Sequence, residues 1–249
     1  MRLLRFYLLF TSIFSIFFIV PMASAHRPDE GNETGVTQIQ DPNTSFAYYR
    51  ELDSNSPVHV YTFEGQAGQF FHAGINIPQI EGLEDYQVSF AILGPGLPKL
   101  DNHTQNDQTP THGELTSVEH KPGLVTTNLP VPDNLSLEQI GGLILENRIG
   151  EDFFEPFTQT RYWGRQELDI DLPETGRYYL LVWNPEGLAG KYVLDTGTQE
   201  VFSPADLLRF PIWWLNTRLY FEQGLILIGT ASLLLMFIAG LVIVRSRKD

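Results

Sequence analysis

The chain of 249 residues contains no cysteine and carries a formal net charge of −14. The lack of cysteine excludes disulfides, zinc–thiolate and iron–sulfur centres and a cysteine nucleophile. Between the two apolar ends, 11 basic residues stand against 29 acidic residues. The resulting net charge of −18 excludes nucleic acid as a partner, because phosphate binding needs a Lys/Arg surface, and it opposes docking on anionic lipid.

The first 25 residues have the order of a signal peptide. Arg2 and Arg5 precede an apolar run over residues 6–20, and the small residues 23–25 (Ala-Ser-Ala) form a cleavage site. The apolar run is shorter than the roughly 20 residues of a membrane span, which favours cleavage. We therefore expect the mature chain to begin at His26.

The mature chain is predicted to begin with an irregular leader over residues 26–43, which are polar and lack periodicity. Over residues 44–200, short runs of aromatic and β-branched residues alternate with Gly/Pro turns, as antiparallel strands do. The predicted strands occupy residues 46–52, 58–63, 70–77, 86–93, 167–172, 178–183 and 191–195. This spacing predicts an all-β ectodomain folded as an antiparallel, jelly-roll-like β-sandwich.

Three parts of the ectodomain depart from this pattern. Residues from about 97 to 136 are polar and predict a long surface insertion, a feature that is usually functional or disordered. In residues 137–149, two adjacent glycines disfavour a helix, and residues 143–145 fit a strand. Residues 151–163 are rich in aromatics but are broken by Pro156, which predicts a packed loop.

Two blocks of this ectodomain resemble the bacterial pre-peptidase C-terminal domains. The blocks are residues 58–68 (Val-His-Val-Tyr-Thr-Phe-Glu-Gly-Gln-Ala-Gly) and residues 172–183 with the strand at 190–194 that follows. The resemblance covers about 45 residues and implies a jelly-roll-like sandwich that serves as an accessory or binding module of secreted hydrolases and surface proteins. It also implies a bacterial source. Here no peptidase is attached, a long insertion separates the blocks, and the chain has a membrane segment.

Residues 203–222 are predicted to form a helix that lies at the membrane surface. Ser203 can cap this helix, and a proline in the next position suits its first turn. Aromatic side chains near its end are typical of the belt at a membrane–water interface. The interface residues predicted in this way are Trp213, Trp214, Tyr220 and Phe221. A partner-binding helix is the alternative.

Residues 224–244 form an uncharged apolar run that is long enough to cross a hydrocarbon core of about 30 Å. Arg245, Arg247 and Lys248 follow it, and the positive-inside rule assigns the tail, residues 245–249, to the cytoplasm. We therefore expect a single-pass protein of the cell membrane, with its N-terminus outside and its C-terminus inside.

The sequence contains none of the motifs H-E-x-x-H, G-x-S-x-G, G-x-x-x-x-G-K-[ST] and G-x-G-x-x-G. We therefore predict no catalytic residues and no enzyme. His26 is a candidate metal ligand, because cleavage before it would place a free amine and an imidazole on one residue, a pair that can chelate copper. Such a site needs a second histidine, for which His72 and His59 are the candidates. The alternative is that cleavage before a histidine has no function.

Two further groups of polar residues can bind cations. Glu167, Asp169 and Asp171 alternate with apolar residues and share one strand face, either as cation ligands or as a solvated edge. The insertion carries three histidines at a spacing that matches no standard metal motif. These are His103, His112 and His120.

These features together favour a non-enzymatic, membrane-anchored, extracytoplasmic binding or accessory module. Its expected partners are the membrane, through the C-terminal helix, and another extracytoplasmic protein or a surface ligand. One alternative is a copper-binding protein that uses His26. The other is a hydrolase whose site carries no recognisable motif.

Overall fold

The computed structural model describes residues 26–29, 36–99, 140–145, 150–156 and 158–246. The predicted signal peptide, most of the predicted insertion with its three histidines, and residues 247–249 of the tail lie outside this range. Within it, the chain forms two β-sheets and two helices.

Eleven strands can be assigned in the described part of the chain. They are β1 Arg27–Pro28, β2 Val36–Gln38, β3 Phe46–Leu52, β4 Val58–Gly65, β5 Phe70–Pro78, β6 Ser89–Gly94, β7 Gly141–Leu145, β8 Asp152–Glu155, β9 Thr160–Asp171, β10 Gly176–Trp183 and β11 Gly190–Thr196. The helices are α1 Pro204–Tyr220 and α2 Gly224–Ser246.

The strands form two layers, and the predicted β-sandwich is confirmed. Sheet A has the strand order β1-β3-β11-β5-β9-β8, and sheet B has the order β2-β4-β10-β6-β7. Successive strands from β3 to β6 and from β9 to β11 alternate between the two sheets. The pairs are antiparallel except at the edges, where β1 runs parallel to β3 and β2 runs parallel to β4.

The core between the sheets is aromatic. Alternate residues of each strand face inward, so the sheet B residues Tyr61, Phe63 and Tyr178 lie in one core with Phe71 of sheet A. The Phe63 ring stacks on Phe71 and Tyr178 at centroid distances of 4.3 and 5.4 Å. Full burial of one such ring contributes about 1.5–3 kcal/mol, so an ordinary core can stabilise this domain without disulfides.

Two segments that were predicted to be irregular contain strands. The predicted leader, residues 26–43, supplies β1 and β2, which are short and pair in parallel with strands already in the sheets. Residues 151–163, predicted as a packed loop, contain β8 and the start of β9. Pro156 ends β8 and falls in the turn, so the same break allows an antiparallel hairpin.

Helix α1 begins as the sequence predicts. The Ser203 hydroxyl accepts from the backbone N–H of Asp206 at 3.3 Å, and the Asp206 carboxylate accepts from the backbone N–H of Ser203 at 2.7 Å. These reciprocal bonds form a capping box. In α2, residues Gly224–Ile243 have a mean hydropathy of 2.6 and could span a membrane by length and composition. The orientation of this helix in a membrane stays a prediction.

The predicted aromatic belt is only partly free to contact lipid. Trp213 and Phe221 are 3% and 4% exposed, because they pack on protein: Trp213 on Phe202 and Phe210, and Phe221 on sheet A. The expectation of lipid contact is therefore wrong for these two rings. Tyr220 turns toward sheet A as well, and its hydroxyl donates to Arg50 O and Tyr192 O at 2.7 Å each. Trp214 is half-buried beside the Arg218 guanidinium, and an interface role for it stays a prediction.

Candidate functional site

The outer face of sheet A carries a group of acidic and histidine side chains. The side chains of β5 that face the core are Phe71, Ala73 and Ile75, so the residues between them project outward. These residues are His72 and Gly74, followed by Asn76 after a bulge. The same alternation on the neighbouring strands β9 and β11 turns charged residues onto this face.

The strand register brings the charged residues together. His72 lies directly opposite Asp169, and Gly74 lies between Asp195 on one side and Glu167 on the other. The imidazole of His72 contacts two carboxylates: Nδ1 lies 2.7 Å from Asp169 Oδ1, and Nε2 lies 3.1 Å from Asp195 Oδ2. Each contact is short enough for a charge-assisted hydrogen bond.

Asn76 and Gly74 fix the position of the Asp195 carboxylate. The Asn76 side-chain amide donates to its Oδ1 at 2.5 Å, and the carboxylate lies across Gly74. A Cβ atom on residue 74 would stand 2.7 Å from both carboxylate oxygens, a distance that real Cβ contacts essentially never show. The glycine therefore leaves the space that lets a buried carboxylate reach His72.

The charges of the two side chains depend on each other. Burial of Asp195 opposes ionisation, but the hydrogen bond from His72 and the charges of His26 and His72 hold its pKa below the usual value. Burial lowers the pKa of His72, and the hydrogen bonds and charges of Asp195 and Asp169 more than offset this, raising it to about 9. At neutral pH without a bound ion, His72 is an imidazolium between two carboxylates.

His26 reaches this face through β1. Arg27 N–H donates to Ser45 O at 3.2 Å, and the Arg27 guanidinium lies 4.4 Å from the centre of the Phe46 ring. These contacts place His26 Nε2 3.9 Å from Asp195 Oδ2. The two histidines of the predicted copper site therefore lie near the same carboxylate oxygen, His26 Nε2 at 3.9 Å and His72 Nε2 at 3.1 Å.

His59, the other candidate, is excluded as a partner of His26. Its ring is buried between the sheets, with Nδ1 at 2.7 Å from the Tyr192 hydroxyl, whereas His26 and His72 are on the outer face of sheet A. Burial lowers the pKa of His59 to about 4. It is a neutral core histidine.

His72 belongs to a group of three donors with two acidic residues of β9, one of which, Asp169, contacts its Nδ1. Donor atoms of His72, Glu167 and Asp169 all lie within 4.8 Å of one another, the one such group of three in the described part of the chain. Both acidic residues are exposed and His72 is half-buried, so an ion can reach them from solvent. Asp171 of the predicted acidic face is opposite Phe70 at the strand end and is not in the group.

Sequence reasoning identified three of these donors separately but missed Asp195, Asn76 and Gly74. The alternation in β11 could have shown that Asp195 projects outward. No local signal shows that it meets His72, because the pairing of β5 with β11 is a property of the sheet order.

Comparison with known proteins gives no family model and no curated protein that matches the chain. Three similar solved structures cover about two thirds of it. The pre-peptidase C-terminal domain of a Bacillus anthracis collagenase has a TM-score of 0.30 and 12% identity, over 67% of this chain and 99% of that one. The periplasmic inhibitor of g-type lysozyme from Aeromonas hydrophila has a TM-score of 0.31 and 13% identity, over 66% of this chain and 97% of that one. A surface-associated copper-binding protein of Methylomicrobium album BG8 has a TM-score of 0.30 and 10% identity, over 66% of this chain and 98% of that one.

The collagenase domain is of the kind that the two sequence blocks resemble, so the sequence and structural comparisons agree on this partial likeness. At these TM-scores nothing about ligand or activity is carried over from the three proteins. The sandwich is established by its own strand pairing.

Proposed function

We propose that this protein is a membrane-anchored, extracytoplasmic, non-enzymatic binding module whose ligand is a divalent transition-metal ion. The ion is held by His72 Nδ1 and by the carboxylates of Glu167 and Asp169. The observation that supports this site most is the hydrogen bond between His72 Nε2 and the buried carboxylate of Asp195. The predicted signal peptide and the apolar helix α2 support the location.

The contact between His72 and Asp195 is the arrangement that metal-binding histidines use. Such a histidine almost always donates its second ring N–H to a carboxylate or carbonyl, which fixes the tautomer and the ring orientation. Asp195 accepts from Nε2, which directs the Nδ1 lone pair toward Asp169 and Glu167 once the proton on Nδ1 is displaced. Asn76 and Gly74 in turn fix Asp195.

The donor set favours copper(II). One imidazole nitrogen and two carboxylate oxygens suit borderline divalent ions, and for a given nitrogen/oxygen site Cu²⁺ binds most tightly among the first-row ions. Zinc is the next candidate, since it takes the same ligands at about 2.0–2.2 Å. Three protein ligands leave at least one coordination position for water or for a group of the partner.

His26 gives this proposal a second part. If the signal peptide is removed after Ala25, the new amine belongs to a residue whose ring is 3.9 Å from Asp195. The amine and the imidazole of His26 would then form a chelating pair beside the His72 site. This part depends on processing, whereas the His72 donor set does not.

The test is metal titration of the full chain in detergent after treatment with a chelator. Calorimetry with Cu²⁺ and Zn²⁺ is compared for the wild type, His72→Gln and Asp171→Asn. The last variant removes a carboxylate on the same strand that is outside the donor set. Loss of a ligand is expected to weaken binding by at least the roughly 10–100-fold that follows loss of a supporting hydrogen bond. Asp171→Asn should bind like the wild type.

Equal binding by the wild type and His72→Gln would overturn the metal site and leave a protein or surface ligand as the partner of the module. One alanine inserted before His26 tests the second part: a weaker Cu²⁺ complex with an altered EPR spectrum assigns the amine as a ligand. An unchanged spectrum removes His26 and leaves the His72 site in place.

A further inference from the structure

Helix α1 exposes a row of large apolar side chains. Leu208, Ile212, Leu215 and Leu219 are 83%, 59%, 42% and 58% exposed. Their spacing of four, three and four residues places them on one face of the helix. We call this row the leucine stripe. A soluble domain rarely leaves such a continuous apolar face to water, since burying each of these side chains is worth about 1.5–3 kcal/mol.

The opposite face of α1 is fixed to the sandwich. Asp206, Trp213 and Thr217 are buried there. Arg218, which is also buried, donates to Gln159 O at 3.1 Å and to Thr158 O in the β8–β9 turn. Arg27 of β1 reaches Asp206 at 3.5 Å. The helix therefore cannot rotate to turn the leucine stripe inward without breaking these contacts.

The chain itself indicates what lies against the stripe. Leu219 precedes Gly224, the first residue of α2, by five residues, and Gly224–Ile243 is the segment that could span a membrane. A helix joined to a span by so short a connection ends within the headgroup layer. Amphipathic helices at this position lie in the plane of the interface with their apolar side about 5–10 Å deep.

We propose that α1 lies in the outer headgroup layer with the leucine stripe toward the acyl chains, so that the sandwich rests on the membrane through the other side of the helix. The contact is apolar and not electrostatic. The ectodomain carries a net charge of −18, which opposes attraction to anionic lipid. A membrane of neutral lipid is therefore sufficient, and added salt does not release the helix.

Spin labels test the proposal in the full chain, which has no cysteine of its own. Single variants Ile212→Cys and Leu215→Cys are labelled with a nitroxide, and the protein is reconstituted in phosphatidylcholine vesicles. Ser54→Cys, in the exposed turn after β3, is the matched control. Collision rates with oxygen, which enters lipid, and with a water-soluble nickel chelate are measured for each label.

We expect the ratio of oxygen to nickel collisions to shift toward lipid for residues 212 and 215 and to stay at the aqueous value for residue 54. Aqueous ratios at all three positions overturn the proposal. Protection from both reagents, with spin–spin broadening that fades when unlabelled protein is added, shows that a second copy covers the stripe and also overturns it. Circular dichroism and a single cooperative unfolding transition confirm that each labelled variant is folded.

Discussion

The carboxylate of Asp195 packs against Gly74, too close to leave room for the Cβ that any other residue would carry there. Gly74→Ala would place a methyl group 2.7 Å from both carboxylate oxygens. We expect this substitution to displace Asp195 from His72, to lower the unfolding free energy by about 1–3 kcal/mol as overpacking does, and to weaken metal binding by roughly 10–100-fold. Urea unfolding and calorimetry measure the two effects.

Gly187→Ala is the control for that experiment. Gly187 has a φ of 70° and nothing within 4 Å of its would-be Cβ, so alanine there is strained but touches no neighbour. We expect a loss of stability of about 1 kcal/mol with no change in metal affinity. Equal affinities for Gly74→Ala and Gly187→Ala would show that Asp195 does not support the site.

The raised pKa of His72 should make the stability of the chelator-treated protein depend on pH. Its pKa is raised from 6.5 to about 9 in the folded state. A group with a raised pKa contributes stability that is complete below pH 6.5 and is lost as the pH rises through about 9. We expect the wild type to lose roughly 2 kcal/mol relative to His72→Gln between pH 6 and 9. Urea unfolding at a series of pH values measures the difference; parallel curves would contradict the ion pairs.

The contact of α1 with sheet A can be tested through Tyr220. Its hydroxyl bonds to the carbonyls of Arg50 and Tyr192, so Tyr220→Phe leaves two carbonyls without this donor. We expect a loss of about 1–2 kcal/mol, with faster amide hydrogen exchange in α1. Asn216→Ala, at an exposed position of the same helix, should leave the exchange unchanged. If both variants exchange alike, the Tyr220 hydroxyl does not hold the helix.

Asp29 is expected to keep β1, and with it His26, on sheet A. Its carboxylate lies 2.7 Å from Arg50 Nη2, and the Arg50 side chain is 4% exposed. Asp29→Asn should cost about 1–3 kcal/mol, because the guanidinium keeps its buried charge and loses its counter-charge. Limited proteolysis near residue 27 should become faster, while metal binding by the His72 donor set persists. Unchanged proteolysis would show that β1 is held by its strand pairing alone.

The sequence was sufficient for the class of fold and for features that depend on neighbours along the chain. The alternation in residues 167–172 and 178–183, the Ser203 cap and the apolar run of α2 all follow from local patterns. The capping box joins residues only three apart, so the sequence also held the signal for Asp206, although only the Ser203 cap was predicted.

Features that depend on strand order could not be predicted. The site joins His72 to Asp195, residues from strands that meet only because β11 inserts between β3 and β5. β1 and β2 were missed because a strand of two or three residues has no periodicity and gains its stability from the strand it joins. Trp213 and Phe221 were assigned to lipid because a sequence does not show that Phe202 and Phe210 cover the first ring and that sheet A covers the second.

The sheet order has a consequence for how the chain assembles. β3 takes β11 as its neighbour on one side and β1 on the other, and β1 also reaches α1 through Arg27 and Asp206. A chain that emerges with its N-terminus first must therefore leave β3 unpaired on the β11 side until nearly the whole ectodomain has followed. Such long-range pairing folds slowly. The contact between β1 and α1 forms later still, because Asp206 follows β11 in the chain.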